Sequence, residues 1–189
     1  MSDAASWDQR YRAGDHADRE PDSFLVRSSE YFDEFLPERG RALDLAGGAG
    51  RNAVYLATLG FSVTLVDASE VALGKARELA AIRGVTLEFL RADLEHHEYL
   101  PPPATFDLVI VFFYLQRDLF PAIRSALKPG GLVVYRTYTV DQQRYPGRPR
   151  DPQHLLRHNE LLEEFREFRV LLYEETMREK GVAALVARK

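Results

Sequence analysis

The stretch Asp44-Leu45-Ala46-Gly47-Gly48-Ala49-Gly50 decides the fold class of this 189-residue chain. Residues 41–46 are typical of a short buried strand, and a helical pattern begins near Arg51. Glycines between a strand and a helix let backbone N–H groups approach a ligand, and the helix N-terminus favours a carboxylate or a phosphate. The stretch therefore predicts a ligand-binding turn in an α/β protein.

Outward from this turn, short apolar runs alternate with helical patterns, which is typical of a parallel sheet covered by helices. Further strands are predicted at 61–66, 85–90, 106–113, 132–138, 169–173 and 182–187. The last two are expected to pair as an antiparallel hairpin at the sheet edge. Helices are predicted to begin after caps at Ser69, Asp118 and Asn159, and residues 128–131 are predicted to form a turn.

The length predicts a single domain over residues 1–189, because a typical domain has about 150 residues. Within it we expect an N-terminal helical cover at 1–40, a cofactor-binding core at 41–138 and a helix with the terminal hairpin at 159–189. Residues 139–158 are polar and long for a connection, which predicts a substrate-side loop, either a functional lid or a disordered segment.

Composition narrows the class of protein and its partners. Lys and Arg total 25 against 29 Asp and Glu, and the net charge of −4 argues against a nucleic-acid partner. The absence of cysteine excludes disulfides, thiolate zinc sites and cysteine nucleophiles. The longest apolar run, 108–115, is far shorter than the ~20 residues of a membrane span, and no secretory signal is visible. We expect a cytoplasmic monomer or homodimer that acts on a small molecule.

The acid at the tip of the second strand indicates the kind of ligand. Asp67 follows Gly48 by nineteen residues, a spacing that suits a carboxylate accepting hydrogen bonds from ribose hydroxyls. An adenosine-containing cofactor is therefore expected. Gly48-x-Gly50-x-x-Ala53 also satisfies the dinucleotide fingerprint, so an NAD(P)-dependent oxidoreductase stays an alternative.

Three features favour S-adenosylmethionine over a dinucleotide. Asp44 lies inside the first strand, where its carboxylate can support the loop or meet a methionine amino group. Asp93 follows the third strand, where it can accept a hydrogen bond from an adenine amino group. The sheet then ends in a hairpin without room for a substrate domain, and no Tyr-x-x-x-Lys pair is present for a hydride site.

These residues resemble the motifs of class I S-adenosylmethionine-dependent methyltransferases. Residues 44–56 look like the first motif, and 63–67, 91–94, 106–111 and 127–131 match the later ones in order. Gly-Arg-Asn at 50–52 and Trp7-Asp-Gln-Arg-Tyr-Arg12 resemble the small tellurite-resistance-type branch in particular. The resemblance implies a Rossmann-like, doubly wound sheet of seven strands in the order 3-2-1-4-5-7-6, with one antiparallel strand.

The resemblance also implies which residues lie at S-adenosylmethionine and its product S-adenosylhomocysteine. Asp44 and Gly48 would lie by the methionine part, Asp67 would hold the ribose, and Asp93 and Leu94 would flank the adenine. Ala46 stands where the family often has Cys or Gly. The residues expected at the cofactor are Tyr11, Asp44, Ala46, Gly47, Gly48, Gly50, Asn52, Asp67, Ala68, Asp93, Leu94 and Phe112.

The acceptor is less well indicated. Methyl transfer from a sulfonium needs alignment and exclusion of water, and a thiol, a reduced chalcogen or another soft nucleophile requires no general base. Arg136 and Tyr138 are candidates for substrate contact, and no catalytic residue is assigned. A protein that binds S-adenosylmethionine without turnover is a further alternative.

The remaining clusters have ordinary interpretations. No metal is expected at His96-His97, because adjacent residues point different ways and no ligand spacing recurs. None is expected at His154 and His158 either, since they lie four apart but no Glu follows His154 as the zinc-protease pattern requires. The arginines at 144, 148, 150 and 157 suggest attraction of an anion, although a solvated loop is the simpler interpretation.

Overall fold

The computed structural model describes residues 4–14, 18–147 and 149–189. By compactness the chain divides into two units, Met1–Pro101 and Pro102–Lys189. The single-domain organisation expected from the length stays a prediction.

The N-terminal unit contains four helices and three strands among its described residues. They are α1 (Ala4–Arg12), α2 (Ser23–Phe35), β1 (Arg41–Leu45), α3 (Arg51–Thr58), β2 (Ser62–Asp67), α4 (Glu70–Arg83) and β3 (Glu88–Arg91). The three strands are parallel, and β2 pairs with both β1 and β3.

The described residues of the C-terminal unit contain four strands and two α-helices. They are β4 (Phe106–Phe112), α5 (Phe120–Ala126), β5 (Leu127–Tyr138), α6 (Glu160–Glu164), β6 (Arg169–Thr176) and β7 (Val182–Arg188). Strand β4 is parallel to β5, whereas β7 lies antiparallel to both β5 and β6.

All seven strands belong to one sheet in the order β3-β2-β1-β4-β5-β7-β6, so the predicted fold class and strand order are confirmed. The interior of β4 is apolar and buried, as a central parallel strand requires: Leu108, Val109 and Ile110 are inaccessible to solvent. In open α/β sheets, ligands bind beyond the carboxyl ends of the parallel strands. This rule directs attention to the residues that follow β1, β2, β3, β4 and β5.

Local capping decides where the long helices begin and end. Asp22 caps α2 by accepting a hydrogen bond from the N–H of Phe24. Ser69 caps α4 by accepting from the N–H of Ala72, as predicted, and Gly84 ends that helix in the left-handed conformation. Such caps satisfy backbone groups that a helix end leaves without an intrahelical partner.

Several predicted boundaries were wrong. The third strand begins at Glu88 rather than at residue 85. Residues 128–131 belong to β5, which pairs with β4 from Leu127 onward through an irregular register. Asp118 lies within a 3₁₀ turn, Arg117–Leu119, and Asn159 has a positive φ of 62° without a side-chain cap.

The segment 139–158 is folded onto its own unit where the structure describes it. It contains two 3₁₀ turns, Val140–Arg144 and Pro152–His154, and Thr139 forms a parallel bridge with Leu156. Leu155 and Leu156 are fully buried. A disordered loop, which was one of the two expectations, is therefore not what the described part of this segment forms.

An ion pair between a buried carboxylate and a partly exposed arginine holds this segment in place. Glu160 is 1% exposed and accepts hydrogen bonds from Nε and Nη2 of Arg117 at 2.6 and 3.0 Å, and from the N–H of Arg157 at 2.7 Å. Arg117 also donates to the carbonyl oxygens of Gln153 and Leu155. One guanidinium thus ties the 3₁₀ turn after β4 to both the loop and α6.

Candidate functional site

The loop between β1 and α3 has the backbone geometry of a ligand-binding turn. Ala46, Gly48 and Gly50 have positive φ values of 55°, 56° and 78°. The N–H of Gly47 donates to the carbonyl oxygen of Val66, which fixes the loop to the end of β2. Left-handed conformations strain residues with a Cβ, so the glycines at 48 and 50 suit this backbone and Ala46 tolerates it.

Close contacts explain two of the glycines. A Cβ at Gly50 would lie 2.6 Å from the Cβ of Ala76, so this glycine lets α4 pack against the loop. A Cβ at Gly47 would lie 2.7 Å from Oδ2 of Asp44, so this glycine leaves room for that carboxylate. Gly50 therefore supports the loop by packing, whereas Gly47 lies directly against Asp44.

Asp44 is a buried acid that uses little of its hydrogen-bonding capacity within the described residues. It is 1% exposed, and neither carboxylate oxygen has a hydrogen-bond partner of ordinary geometry there. Burial, reinforced by the charge of Asp67, raises the pKa of Asp44 well above its usual range, and the N–H of Ala53 and the charge of Arg51 only partly oppose this rise. A cationic hydrogen-bond donor at this position would satisfy the carboxylate.

Asp67 lies at the tip of β2, as predicted, and its carboxylate contacts the glycine loop. Oδ2 accepts a hydrogen bond from the N–H of Gly48 at 2.8 Å, and Oδ1 accepts from the N–H of Ser69 at 2.9 Å. Burial raises the pKa of Asp67, and these two N–H groups counteract part of the rise. A carboxylate offers about four acceptor positions, so both oxygens keep capacity for ribose hydroxyls.

Helix α1 brings Tyr11 to the same loop. The hydroxyl of Tyr11 is packed so closely on Gly48 that a side chain at that position would collide with it. Asp8, one turn earlier, accepts hydrogen bonds from the hydroxyl of Ser69 at 2.5 Å and from the N–H of Val71 at 3.3 Å. Lys75 donates to the carbonyl oxygen of Tyr11. These contacts dock α1 on the start of α4 and place Tyr11 at the loop.

Arg12, which follows Tyr11 at the end of α1, is directed elsewhere. Its side chain is 64% exposed and lies 3.6 Å from the carboxylate of Asp8. Burial, together with the nearby charge of Asp67, raises the pKa of the Tyr11 hydroxyl, so this group stays a neutral donor at physiological pH. Of the two residues, only Tyr11 contacts the glycine loop.

A cavity follows the third strand in the position expected for an adenine. Its volume is about 380 Å³, and it is lined by Ala4, Ala68, Arg91, Asp93 and Glu98. Arg91 lies within the matched motif at 91–94 but was not among the residues expected at the cofactor, and neither was Glu98. Leu94 is buried.

Asp93 organises the chain after β3. It accepts hydrogen bonds from the N–H groups of Glu95 and His96, and its Oδ2 lies 2.9 Å from Nδ1 of His96. The hydrogen bond and the charge of Asp93 raise the pKa of His96. The histidine pair thus belongs to the turn that positions Asp93.

Asn52, one of the residues expected at the cofactor, also contacts the N-terminal segment. Its Oδ1 accepts a hydrogen bond from the N–H of Asp22 at 2.9 Å, and Arg51 pairs with Asp18 at 2.7 Å. Both side chains therefore hold the segment before α2. The Gly-Arg-Asn motif combines a loop glycine with two anchors for the N-terminal segment.

The C-terminal unit carries a separate group of residues at the ends of β4 and β5. Phe112 is buried at the last position of β4 and is paired in register with Arg136. The next residue, Phe113, has a positive φ of 57°, and its ring centroid lies 5.1 Å from that of Tyr138. The guanidinium of Arg136 and the ammonium of Lys180 lie 5.7 and 5.0 Å from the Phe113 centroid. Arg136 and Tyr138 were expected from the sequence as candidates for substrate contact, whereas Phe113 and Lys180 were not.

The loop arginines contact their own segment. Arg150 donates to the carbonyl oxygens of Gly147, Gln143 and Tyr145. Arg144 lies 3.4 Å from Asp141, and Arg157 lies 3.5 Å from both Glu160 and Glu163. Arg148 lies outside the described residues. These contacts favour a structural role over the attraction of an anion.

Part of the chain that contains this site is similar to a known protein family. The family model described as a methyltransferase domain matches residues 42–131. Over these residues the chain is similar to the methyltransferase domain family. The match begins in β1, includes the glycine loop and Asp67, and ends in β5, so the resemblance drawn from the motifs is confirmed over this range.

Named relatives agree with this domain. The tRNA 5-carboxymethoxyuridine methyltransferase of Escherichia coli strain K12 is 29% identical over 115 residues, which are 57% of this chain and 43% of that protein. The chain spans about half the length of the curated relatives that it matches.

Solved structures match the fold of the domain over nearly the whole chain. TehB from Haemophilus influenzae superposes with a TM-score of 0.73 at 19% identity, covering 95% of this chain and 66% of TehB. The 1,6-didemethyltoxoflavin-N1-methyltransferase of Burkholderia thailandensis, solved with its substrate and S-adenosylhomocysteine, has a TM-score of 0.70 at 21% identity and covers 98% and 86%. At these identities the likeness shows the fold.

Metal sites and membrane-spanning helices are two further features to consider within the described residues. No group of three or more His, Cys, Asp or Glu side chains with the placement of metal ligands occurs in residues 4–14, 18–147 and 149–189. Over the same described part of the chain, no helix has the length and hydrophobicity needed to cross a bilayer.

Proposed function

We propose that the chain is an S-adenosylmethionine-dependent methyltransferase that acts on a small molecule with a soft nucleophile, such as a thiol or a chalcogen. The observation that carries this proposal is the buried carboxylate of Asp44, which lies against Gly47 and has no hydrogen-bond partner of ordinary geometry among the described residues. The family of residues 42–131 supports the same activity.

The residues present fit the proposed cofactor. Its ammonium group matches Asp44, because a buried carboxylate is stabilised by a cationic donor. Its ribose matches Asp67, which retains acceptor capacity beside Gly48. Its adenine matches the cavity of about 380 Å³ that Asp93 and Ala68 line. Tyr11 supplies a hydroxyl at the glycine loop, next to the methionine end.

The bound cofactor supplies a methyl group on a positively charged sulfur, and transfer forms a bond from the acceptor to the methyl carbon while the carbon–sulfur bond breaks and its electron pair stays on sulfur. The chain's own residues bind and orient. Asp44 and Gly48 fix the methionine end, and Asp67 fixes the ribose, so that the methyl group keeps one direction. Alignment of this kind contributes much of the rate of a displacement between two bound partners.

A small-molecule acceptor is favoured over a nucleic acid by charge. The net charge of −4 does not match the basic footprint that binds phosphate backbones. The Escherichia coli relative is named for a tRNA substrate, and it is more than twice as long as the matched segment. This part of the proposal would be overturned if the protein methylated tRNA and did not methylate small thiols.

The first test is calorimetric titration of the full chain with S-adenosylhomocysteine, with NAD and NADP as parallel controls. Binding of S-adenosylhomocysteine alone, at micromolar concentration, supports the proposal. Binding of a dinucleotide alone would replace it with an oxidoreductase.

Turnover separates an enzyme from a binding protein. The protein is incubated with S-adenosylmethionine and a panel of thiols and chalcogen oxyanions, and release of S-adenosylhomocysteine is measured. Release that depends on both protein and acceptor supports the enzyme. Binding without release for any member of the panel would favour a protein that binds the cofactor without turnover.

A further inference from the structure

The C-terminal unit contains an aromatic–cation cluster, formed by Phe113, Arg136, Tyr138 and Lys180. None of these four residues is among those expected at the cofactor. All four side chains are partly accessible to solvent. Two cations from different elements approach the ring of Phe113, Arg136 from β5 at 5.7 Å and Lys180 from the β6–β7 connection at 5.0 Å. The ring of Tyr138 packs beside Phe113 at a centroid distance of 5.1 Å.

The backbone at Phe113 is strained to hold the ring in this place. Its φ of 57° is in the left-handed region, which is unfavourable for a residue with a Cβ. Its N–H donates to the carbonyl oxygen of Arg136 at 2.7 Å, which couples the turn after β4 to β5. Strain of this kind persists where the surrounding structure fixes it, and it is concentrated at ligand sites.

Lys180 emerges from a fixed backbone. The next residue, Gly181, donates to Oε1 of Gln142 at 3.2 Å, and its carbonyl oxygen accepts from the N–H of Thr139 at 3.0 Å. A Cβ at Gly181 would lie 2.6 Å from the carbonyl carbon of Asp141, so the connection is packed tightly against the 3₁₀ turn at 140–144. The backbone next to Lys180 is therefore held in place before any ligand arrives.

Charge and position indicate what this cluster binds. Arg136 and Lys180 both carry a positive charge near the ring of Phe113, and both would attract an anion placed beside that ring. The flat faces of Phe113 and Tyr138 suit an unsaturated ring, which aromatic side chains and arginine both stack against. The cluster lies at the carboxyl ends of β4 and β5, the edge at which open α/β sheets bind ligands.

We infer that this cluster is the acceptor subsite and that it selects a flat, unsaturated acceptor that carries a carboxylate. Arg136 and Lys180 bind the carboxylate, and Phe113 and Tyr138 contact the ring. This inference rests on the proposed function, since the subsite is assigned to the methyl acceptor.

The test compares two probes of nearly the same shape, 2-mercaptobenzoate and 2-mercaptobenzamide, of which only the first carries a carboxylate. Each is titrated into the full chain, with and without saturating S-adenosylhomocysteine, and each is then assayed as an acceptor with S-adenosylmethionine. We expect the carboxylate to bind at least tenfold more tightly than the amide, and to have the lower KM. Equal binding of the two probes, or binding of neither, would overturn the inference.

Variants assign the preference to the cluster. Lys180→Gln and Arg136→Gln are each expected to weaken binding of 2-mercaptobenzoate about tenfold, equivalent to about 1.4 kcal/mol, and to leave binding of the amide within twofold. Lys180→Arg is expected to restore the preference for the carboxylate. The matched control is Arg178→Gln, which removes one charge from an exposed position in the same β6–β7 connection. A similar loss in Arg178→Gln would show that net charge is responsible and would overturn the inference.

The two proposals fail in different ways. If S-adenosylhomocysteine does not bind while the carboxylate preference persists and depends on Lys180, the proposed function fails and the anion subsite stands. If S-adenosylhomocysteine binds and the two probes behave alike, the subsite fails and the proposed function stands. Arg136→Lys guards against misfolding, because it keeps the charge in the sheet while removing the planar guanidinium.

Discussion

Asp44→Asn tests the role assigned to the buried carboxylate. The substitution keeps the shape of the side chain and removes its charge. Because the side chain is buried and an ammonium group is its proposed partner, loss of that charge is expected to cost about 2–5 kcal/mol of binding. Calorimetry should therefore show S-adenosylhomocysteine binding about 30-fold weaker or worse, whereas Asp118→Asn, an exposed aspartate in the C-terminal unit, should bind normally.

The same variant makes a prediction for stability without any ligand. The pKa of Asp44 is raised in the folded protein, so folding favours the neutral carboxyl. The contribution of Asp44 to the free energy of unfolding is fully present below its unfolded-state pKa, near 3.9. This contribution is lost as the pH rises toward the folded-state pKa. Within that window the stability of the parent falls by about 1.4 kcal/mol per pH unit relative to Asp44→Asn.

Thermal unfolding at a series of pH values measures this difference. A chain of this length changes Tm by about 2–4 °C per kcal/mol, so the Tm gap should widen by about 3–5 °C per pH unit in the window. The direction is diagnostic, because Asp44→Asn gains on the parent as the pH rises. A gap that does not change with pH, or unchanged affinity for S-adenosylhomocysteine, would refute the assignment of Asp44.

The remaining predictions concern the loop, the ion pair and the N-terminal helix. Gly50→Ala should lower the free energy of unfolding by about 2–4 kcal/mol, because it adds a clash with Ala76 to backbone strain. Gly84→Ala has open space around it and should lose only about 1 kcal/mol. Equal losses in denaturant unfolding would contradict the packing argument. Glu160→Gln should cost about 2–3 kcal/mol, and Glu163→Gln, on an exposed side chain, less than about 0.5. Burial acts to raise the pKa of Glu160, but hydrogen bonds from Arg117 and Arg157 lower it overall. The contribution of Glu160 to the free energy of unfolding should therefore be fully present above the unfolded-state pKa and be lost as the pH falls through the folded-state pKa. Tm measurements from pH 7 to pH 3 would check this. Tyr11→Phe should weaken S-adenosylhomocysteine binding about 2–10-fold through loss of one hydrogen bond, with Tyr31→Phe in α2 as the control that keeps full affinity.

Local patterns in the sequence were sufficient for most of the fold. Strand positions, the helix caps at Ser69 and Gly84 and the glycine turn follow from periodicity and from residues that are neighbours in sequence. The spacing from Gly48 to Asp67 also proved informative, because it corresponds to one strand–helix–strand step and closes a hydrogen bond between the two residues. Features of this kind repeat at fixed intervals and can be recognised without coordinates.

Contacts between distant residues could not be obtained in this way. The pair of Arg117 with Glu160 spans 43 positions and gives order to a segment whose composition favoured a loop. Lys180 meets Phe113 only because β6 and β7 return the chain to the end of β4. Asn52 matches a motif, yet its carbonyl oxygen is used by Asp22. None of these contacts has a periodic signature.

The position of β7 between β5 and β6 has a consequence for biosynthesis. Strand β6 precedes β7 in the chain, but it is bonded to the sheet only through β7. While the ribosome is still adding residues 182–188, the newly made β6 has no strand to pair with and the outer edge of β5 is uncovered. Such edges recruit other chains, so a nascent or prematurely terminated product is prone to aggregate until this single strand arrives.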